Sequence, residues 1–412
     1  MKELTTAIYG SGKERRLLKG ALVAADEGAR ACDILIAAGG HIEAVEPDIA
    51  GSVDARVVDI AGSLVVPGFV DAHQHLDKTG VVSPNPSGTL QGAREAFARF
   101  ARTASREDIA DRARRTILQC RGHGTTAIRS HVNVDKDAGF AGLEVLRDIR
   151  AELGDTMTLQ FVAFMTPHPN QDLDWLEANI ADAAELADAI GGTPAVAEDP
   201  GRYLDILFEA AARHDLPVDL HMDEHLDADR LLFDAVIDRT ERYGMQGRVI
   251  LGHASVLSAV PWSSFQRICD RLLRNRIGVI TLPAANLYLQ GRDRDVLPPR
   301  GLTRVRDLLQ AGVPVAAACD NIQDPFIPTG SGDLLEIARW TFLASYLGAD
   351  DIGEAFAMIT DVPAMLTGLA DTYGLRKGAR ADMVICDCAN TTDLVARGTG
   401  HRSVLINGLL VS

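Results

Sequence analysis

The sequence predicts an α/β protein whose main part is a (β/α)8 TIM-like barrel, with a small β-sandwich domain built from both chain ends. Between residues 64 and 365, eight short apolar runs alternate with long segments of helical periodicity, as the strands and helices of such barrels do. Outside that stretch, short apolar runs are joined by turn residues, which is typical of antiparallel strands. We therefore predict a sandwich domain from 1–63 with 366–412, and a catalytic barrel from 64–365.

The two chain ends contain hairpin signals. CDILIAAGGHIEAVEP has two apolar stretches around Gly39 and Gly40, and SVLINGLLVS has two around Asn407 and Gly408. Asn-Gly favours a type I′ turn, because both central residues of that turn need positive φ. The cysteine pair in ADMVICDC lies in a strand-like apolar run, so we assign it to a buried strand and not to a metal site.

The eight predicted barrel strands are LVVPGFVDAH, TTAIRSHV, MTLQFVAF, TPAVA, LPVDLHM, RVILGHA, IGVITL and VPVAAACD. Helix-like segments such as REDIADRARRTILQCRGHG lie between most of them. The connection after the first strand is long, since residues 76–110 precede an evident helix. We expect this connection to form a loop over the barrel mouth, where the active sites of such barrels lie.

Composition narrows the function classes. A formal net charge of −16 opposes binding to phosphate backbones, and no basic patch offsets it. No run of about 18 apolar residues predicts a membrane span, and the N-terminus lacks a signal-peptide pattern. Six scattered cysteines do not resemble a secreted disulfide framework. We expect a cytoplasmic protein that binds neither nucleic acid nor membrane.

Histidines and one aspartate end four of the predicted strands. They are His73 and His75 on the first strand, His221 on the fifth, His253 on the sixth and Asp320 on the eighth. Residues i and i+2 of a strand share a face, and the carboxyl ends of barrel strands converge on one mouth. Each residue alone has an ordinary structural explanation, such as helix capping by an aspartate. Together, neutral imidazoles and a carboxylate predict a divalent transition-metal site.

Other polar residues follow these strands. Glu224 comes three residues after His221, where it would lie above the metal and exchange protons with the substrate. Its neighbour Asp223 has the pattern of a solvated loop charge. His131 and His168 follow the second and third strands and are further candidates for the pocket, whereas we expect the remaining histidines to be structural or exposed.

Several of these segments resemble the amidohydrolase superfamily, and within it the branch of cytosine deaminases and N-isopropylammelide aminohydrolases. They are PGFVDAHQHLDK, HMDEH, GHAS, CDNIQDPF and the long run from LPAANLYLQ to GSGDLLE. The resemblance extends from about residue 30 to the C-terminus. It implies one metal ion, zinc or iron, with four ligands, namely His73, His75, His221 and Asp320. It also implies that His253 hydrogen-bonds the attacking water or a substrate oxygen, and that Glu224 transfers protons.

The sequence also departs from that branch. GGTPAVAED has no lysine to bridge two metals after the fourth strand, so we expect a single ion. Cytosine deaminases have a glutamine where this chain has Thr166, and a second aspartate where it has Asn321. Because a site built to pair with polar edges discriminates strongly, cytosine itself is not the expected substrate. Phe326 replaces a tryptophan and keeps an aromatic wall, and Lys78 would contact an anionic or carbonyl-rich ring.

The predicted function is removal of an amino or substituted amino group from a small nitrogen heterocycle by attack of metal-activated water. Asp320 would take a proton from that water, and Glu224 would protonate the ring nitrogen. The alternative is an amidase or cyclic amide or imide ring hydrolase that uses the same residues. Two further alternatives are a catalytically inactive barrel scaffold and a small-molecule sensor. A homo-oligomer is compatible with the sequence.

Overall fold

The computed structural model describes residues 14–25, 28–49, 53–81, 84–297 and 299–411. Five strands precede the barrel. They are β1 (Arg16–Ala25), β2 (Gly28–Ile36), β3 (Ile42–Glu46), β4 (Arg56–Asp59) and β5 (Leu64–Pro67). β1 pairs antiparallel with β2 and parallel with both β4 and β5, so it is the centre of this part of the sheet.

Eight parallel strands form the barrel, and each pairs with the next one along the chain. They are β6 (Phe69–Gln74), β7 (Thr125–Val134), β8 (Thr158–Met165), β9 (Ala189–Gly192), β10 (Val218–Met222), β11 (Val249–His253), β12 (Gly278–Thr281) and β13 (Val315–Ala317). The last strand meets the first through the Asp320 backbone N–H, which donates to the His73 carbonyl at 2.8 Å. The predicted barrel is therefore confirmed, and its ring closes at two of the predicted site residues.

Three strands follow the barrel and complete the first sheet. They are β14 (Met383–Cys386), β15 (Arg402–Ile406) and β16 (Leu409–Leu410). β14 pairs antiparallel with β5, so both chain ends contribute to one mixed sheet, as predicted. β15 and β16 form the predicted hairpin, with Asn407 at φ 51° and Gly408 at φ 72°, the positive values that a type I′ turn requires. The cysteines of VICDC are buried at and just beyond β14, as expected.

Thirteen α-helices lie in the described residues. They are α1 (Leu90–Ala101), α2 (Arg106–Gly122), α3 (Ala141–Leu153), α4 (Leu173–Leu186), α5 (Pro200–Arg213), α6 (Phe233–Arg242), α7 (Trp262–Arg274), α8 (Pro283–Leu289), α9 (Val305–Gln310), α10 (Leu334–Ala344), α11 (Ile352–Ala357), α12 (Asp361–Leu366) and α13 (Thr391–Arg397). The start of α2 is stabilised by its cap, because the Ser105 hydroxyl accepts a hydrogen bond from the Asp108 N–H. Two acidic residues in the first turn also interact favourably with the helix dipole. No helix in the described ranges is both long and apolar enough to span a membrane.

Two details differ from the sequence prediction. LVVPGFVDAH is divided between two sheets, because β5 belongs to the mixed sheet and β6 to the barrel. The fourth barrel strand is AIGG and not TPAVA, whose residues Pro194–Val196 form a 3-10 turn. A side chain at Gly191 would meet the Asp219 backbone carbonyl of β10, so close strand contact explains the glycine. The division into domains at residues 63 and 366 stays a prediction.

The mixed sheet provides a test of how the two chain ends fit together. Gly40, in the turn between β2 and β3, has φ 80°, and a Cβ there would overlap the backbone carbonyl and side chain of Asn407. We expect Gly40→Ala to lower the free energy of unfolding by roughly 2–4 kcal/mol, because a left-handed alanine and a steric overlap add together. Urea unfolding followed by circular dichroism measures this change.

Gly39→Ala is the matched control, since a Cβ at Gly39 meets nothing within 4 Å. It should change stability by no more than about 0.5 kcal/mol. Equal effects of the two variants would contradict this account of the contact between the chain ends.

Candidate metal centre and active site

A cavity opens at the carboxyl ends of the barrel strands. Its floor includes His75, His221, His253 and Asp320, and Glu224 lies on its wall. The strand ends thus bring together residues that are up to 247 positions apart in the chain, from His73 to Asp320 (320 − 73). This is the convergence that the sequence predicts for a barrel mouth.

The predicted ligands form one buried cluster. The Nε2 atom of His221 lies 3.2 Å from Nε2 of His73 and 3.1 Å from Nε2 of His75. The Oδ1 atom of Asp320 lies 3.2 Å from Nε2 of His75 and 3.5 Å from Nε2 of His73. Four ligand atoms from three separate parts of the chain therefore face a common point.

The chemistry of this cluster fits a divalent cation. Both carboxylate oxygens of Asp320 are buried without a hydrogen-bond partner in the described structure. Burial lowers the pKa of His73, His75 and His221 well below the ordinary value, and the neighbouring imidazoles lower it further. The rings are therefore neutral and carry lone pairs. A buried carboxylate without partners is costly, and a metal ion bound between it and neutral imidazoles removes that cost.

An outer contact sets the tautomer of His75. Its Nδ1 lies 3.0 Å from the backbone carbonyl of His131, which can only accept a hydrogen bond. Nδ1 must therefore carry the proton, and the lone pair of Nε2 is directed into the cluster. Metal-binding histidines are commonly oriented in this way.

His253 lies beside the cluster with different partners. Its Nε2 is 4.0 Å from Oδ2 of Asp320, and its Nδ1 is 3.0 Å from Nδ2 of Asn286. Burial lowers the pKa of His253 to about 4, so this ring is neutral too. His73, His221, His253 and Asp320 also offer ligand atoms that all lie within 4.8 Å of one another. Distance alone thus permits either His75 or His253 as the remaining ligand.

Glu224 is the predicted proton carrier, and it is buried against the cluster. Its Oε1 lies 3.5 Å from Nδ1 of His253, and its Oε2 lies 3.8 Å from Nη2 of Arg94. Burial raises the pKa of Glu224 to about 8, although Arg94 opposes the shift. A carboxyl group with a pKa near neutrality suits the transfer of protons in both directions.

The predicted substrate-binding residues all line the cavity: Lys78, Thr166, Asn321 and Phe326. The Lys78 ammonium donates to Oδ1 of Asn133 at 2.7 Å and lies 4.6 Å from the ring centre of Phe97 and 5.3 Å from that of Phe326. Nδ2 of Asn321 donates to Asp324 at 2.6 Å, which leaves Oδ1 of Asn321 available as an acceptor. Burial raises the pKa of Asp324 to about 7.

Two other sequence expectations have different outcomes. His168 lines the cavity, whereas His131 is buried with its ring stacked on His73, the centroids 4.0 Å apart. Asp223 is not the solvated loop charge that we predicted. It is buried, and its carboxylate accepts from the Leu232 N–H at 2.9 Å, a contact that depends on the path of the following loop.

Sequence reasoning missed several residues of the site. Arg94 and Phe97 line the cavity from α1, so the long connection after β6 covers the mouth with a helix and not with a loop. Asn133 could have been found, because it follows His131 by two residues on the same strand and thus shares its face. Asn286 lies within LPAANLYLQ, but only the folded structure shows its contact with His253.

Comparisons with known proteins agree with this geometry. A sequence profile described as the amidohydrolase family matches residues 85–411. A pterin deaminase of Rhizobium rhizogenes (strain K84) is 30% identical over 93% of this chain and 89% of its own length. An N-isopropylammelide isopropyl amidohydrolase of Pseudomonas sp. (strain ADP) is 28% identical over 90% of this chain and 92% of its own.

Solved structures show the same relationship. The 5-methylcytosine deaminase of Klebsiella pneumoniae superimposes with a TM-score of 0.88 and 28% identity, covering 97% of each chain. The N-isopropylammelide isopropylaminohydrolase of Burkholderia multivorans gives a TM-score of 0.83 and 30% identity, covering 97% of this chain and 98% of that one. The predicted resemblance is confirmed, and the chain belongs to the amidohydrolase family, whose members are metal-dependent hydrolases of C–N bonds.

Proposed function

We propose that this protein is an aminohydrolase that removes an amino or substituted amino group from a small, flat nitrogen heterocycle. The observation that carries this proposal is the buried cluster of neutral imidazoles and Asp320 on the cavity floor, with Glu224 beside it. A scaffold has no need to bury unpaired carboxylate oxygens at the mouth of a barrel. Deaminases of heterocycles among the relatives support the same reaction class.

The proposal includes one metal ion, zinc or iron, with four ligands, namely His73, His75, His221 and Asp320. No lysine stands at the end of β9, where Thr193 follows the strand, so a bridging group for a second ion is missing there. His73, His131 and Asp219 form another group of nearby ligand atoms. The Arg129 guanidinium, however, donates to Asp219 at 3.1 Å and already compensates its charge.

When bound, such a cation acts as a Lewis acid and lowers the pKa of a water molecule at the site. Asp320 accepts a proton from the attacking water, whose oxygen bonds to the ring carbon that bears the amino group. Glu224 donates a proton to the adjacent ring nitrogen, which makes that carbon more electrophilic. His253 hydrogen-bonds the attacking oxygen. The carbon–nitrogen bond then breaks: the leaving amine takes the proton held by Asp320, and Glu224 takes the proton of the new hydroxyl group as the carbonyl forms.

The cavity walls suggest the kind of ring. Phe164 and Phe326 provide apolar surface for a planar molecule, and the Lys78 ammonium lies between them, favouring an anionic or carbonyl-rich ring. Relatives are named for pterin, 5-methylcytosine and N-isopropylammelide, which are all flat nitrogen heterocycles. Thr166 and Asn321, which line the same cavity, are the residues proposed to contact the polar edge of the ring. A cytoplasmic location, a homo-oligomer and the lack of nucleic-acid binding stay predictions.

A substrate screen tests this function directly. Amino-substituted pyrimidines, triazines and pteridines, together with cyclic ureas and imides, are incubated with protein loaded with zinc or with iron. We expect release of ammonia or an amine without a new carboxylate, because the exocyclic nitrogen is the leaving group. A new carboxylate with no free amine would assign ring opening instead. No turnover of any compound by metal-replete protein would favour a sensor or a scaffold and contradict the proposal.

Glu224→Gln tests the proton carrier. Gln keeps the shape of the side chain but cannot exchange a proton, so we expect kcat to fall by about 10²–10⁴-fold while the metal content stays unchanged. Steady-state kinetics and elemental analysis measure both quantities. Glu185→Gln on the exposed face of α4 is the matched control and should behave as wild type. Full activity of Glu224→Gln would remove this residue from the mechanism.

His221→Ala tests the metal ligands. Loss of partners that merely orient a ligand lowers metal affinity by about 10–100-fold, so loss of a ligand itself should lower it by at least about 100-fold. Competition with a chromogenic chelator measures the affinity. His214→Ala, at the end of α5 and outside the cavity, should leave the affinity unchanged. Wild-type affinity in His221→Ala, with the folded state verified by circular dichroism, would contradict the ligand assignment.

A further inference from the structure

We infer that Asn286 is a positioning residue that fixes the tautomer of His253, so that His253 presents an Nε2–H donor to the reacting oxygen and does not bind the metal. This inference rests on the proposed function. It also selects between the two ligand sets that distance alone permits.

The contact lies in the closed interior beside the cavity. Asn286 is on α8, which begins two residues after β12 ends, and its side chain is fully buried. Its Nδ2 lies 3.0 Å from Nδ1 of His253. An amide NH₂ group is a donor only, so the ring nitrogen that faces it must accept.

The position of the ring proton follows from this contact. His253 is fully buried, and a neutral imidazole carries one proton on one of its two nitrogens. With Nδ1 accepting from Asn286, the proton resides on Nε2. That atom is buried without a partner and lies 4.0 Å from Oδ2 of Asp320. Nε2–H is therefore aimed at the point where an oxygen held near Asp320 would react.

His75 shows the opposite arrangement. Its Nδ1 faces the His131 carbonyl, an acceptor, so its lone pair is on Nε2 and can bind a cation. His253 faces a donor, so its Nε2 lone pair is replaced by a proton. Two imidazoles at one barrel mouth thus receive different functions from the groups behind them: one binds the metal and the other donates to a developing negative charge.

Other groups around His253 make the amide necessary. Oε1 of Glu224 lies 3.5 Å from the same Nδ1, and the ring of His253 is also close to those of His73 and His221, with centroids 5.6 Å and 4.9 Å away. Without the amide donor, a Glu224 carboxylate would draw the ring proton to Nδ1. The donor on Nε2 would then be lost. Asn286 therefore prevents Glu224 from changing the tautomer of His253.

Asn286→Asp tests this inference, because Asp has the shape of Asn but offers acceptors where Asn offers its donor. We expect kcat to fall by about 10²-fold with KM changed by less than about threefold, as for loss of one donor to a reacting oxygen. Metal content should remain that of wild type, and circular dichroism verifies that the variant is folded. Asn179→Asp, on α4 and outside the cavity, is the matched control. Wild-type kcat in Asn286→Asp would show that the amide oxygen faces the ring and would overturn the inference.

A measurement without turnover separates this inference from the proposed function. In zinc-loaded wild-type protein with ¹⁵N-labelled histidine, the His253 signals, assigned with a His253→Gln variant, should show protonated Nε2 and bare Nδ1. In Asn286→Asp we expect the opposite tautomer, with protonated Nδ1 and bare Nε2. Protonated Nδ1 in wild type overturns the inference, as does loss of metal without a change of tautomer. If no heterocycle is turned over, the proposed function fails, whereas the tautomer is still decided by these spectra.

Discussion

The site depends on one constraint, which is that lone pairs without hydrogen-bond partners are held together away from water. In the set formed by Asp320 and the histidines of β6 and β10, each buried acceptor atom lies within about 3.5 Å of two others. Such an arrangement is unfavourable in an empty protein, because each desolvated acceptor lacks a donor. The barrel makes it possible because backbone pairing between adjacent strands fixes the positions of the strand ends. A bound cation makes it favourable, so the fold that buries these acceptors also creates the need for a metal ion.

Backbone strain accompanies this arrangement. His253 and Asp320 adopt left-handed backbone conformations, with φ of 63° and 61°, which cost energy for residues other than glycine. Both residues stand where a barrel strand gives way to its loop, and a regular strand would point their side chains elsewhere. The pairing of Asp320 N–H with the His73 carbonyl holds one of these conformations. The rest of the barrel thus stabilises a backbone conformation that the isolated segment would not adopt.

How far the site could be predicted depends on whether its information is local. His73, His75 and His221 were identifiable because strand ends in a barrel converge, and the apolar run before each of them is visible in the sequence. The strand AIGG was missed because glycine has a low strand propensity. Gly191 and Gly192 are present because neighbouring chain segments approach too closely for a side chain. Arg94 was missed because nothing in its own sequence segment shows which way α1 crosses the mouth.

The same distinction explains the outcome for residues whose role depends on a partner. Asp223 and Glu224 are adjacent acidic residues in a polar loop, and sequence alone offers no reason for both to be buried. Their contacts differ: Asp223 accepts the Leu232 backbone N–H and fixes the loop, whereas Glu224 faces the cavity, 3.8 Å from the Arg94 guanidinium and 3.5 Å from Nδ1 of His253. A carboxylate that accepts a backbone N–H is held by the fold, whereas one whose oxygens face only side chains of the cavity is available for proton transfer. Hydrogen-bond partners, and not residue type, therefore decide which acidic group of this loop takes part in the reaction.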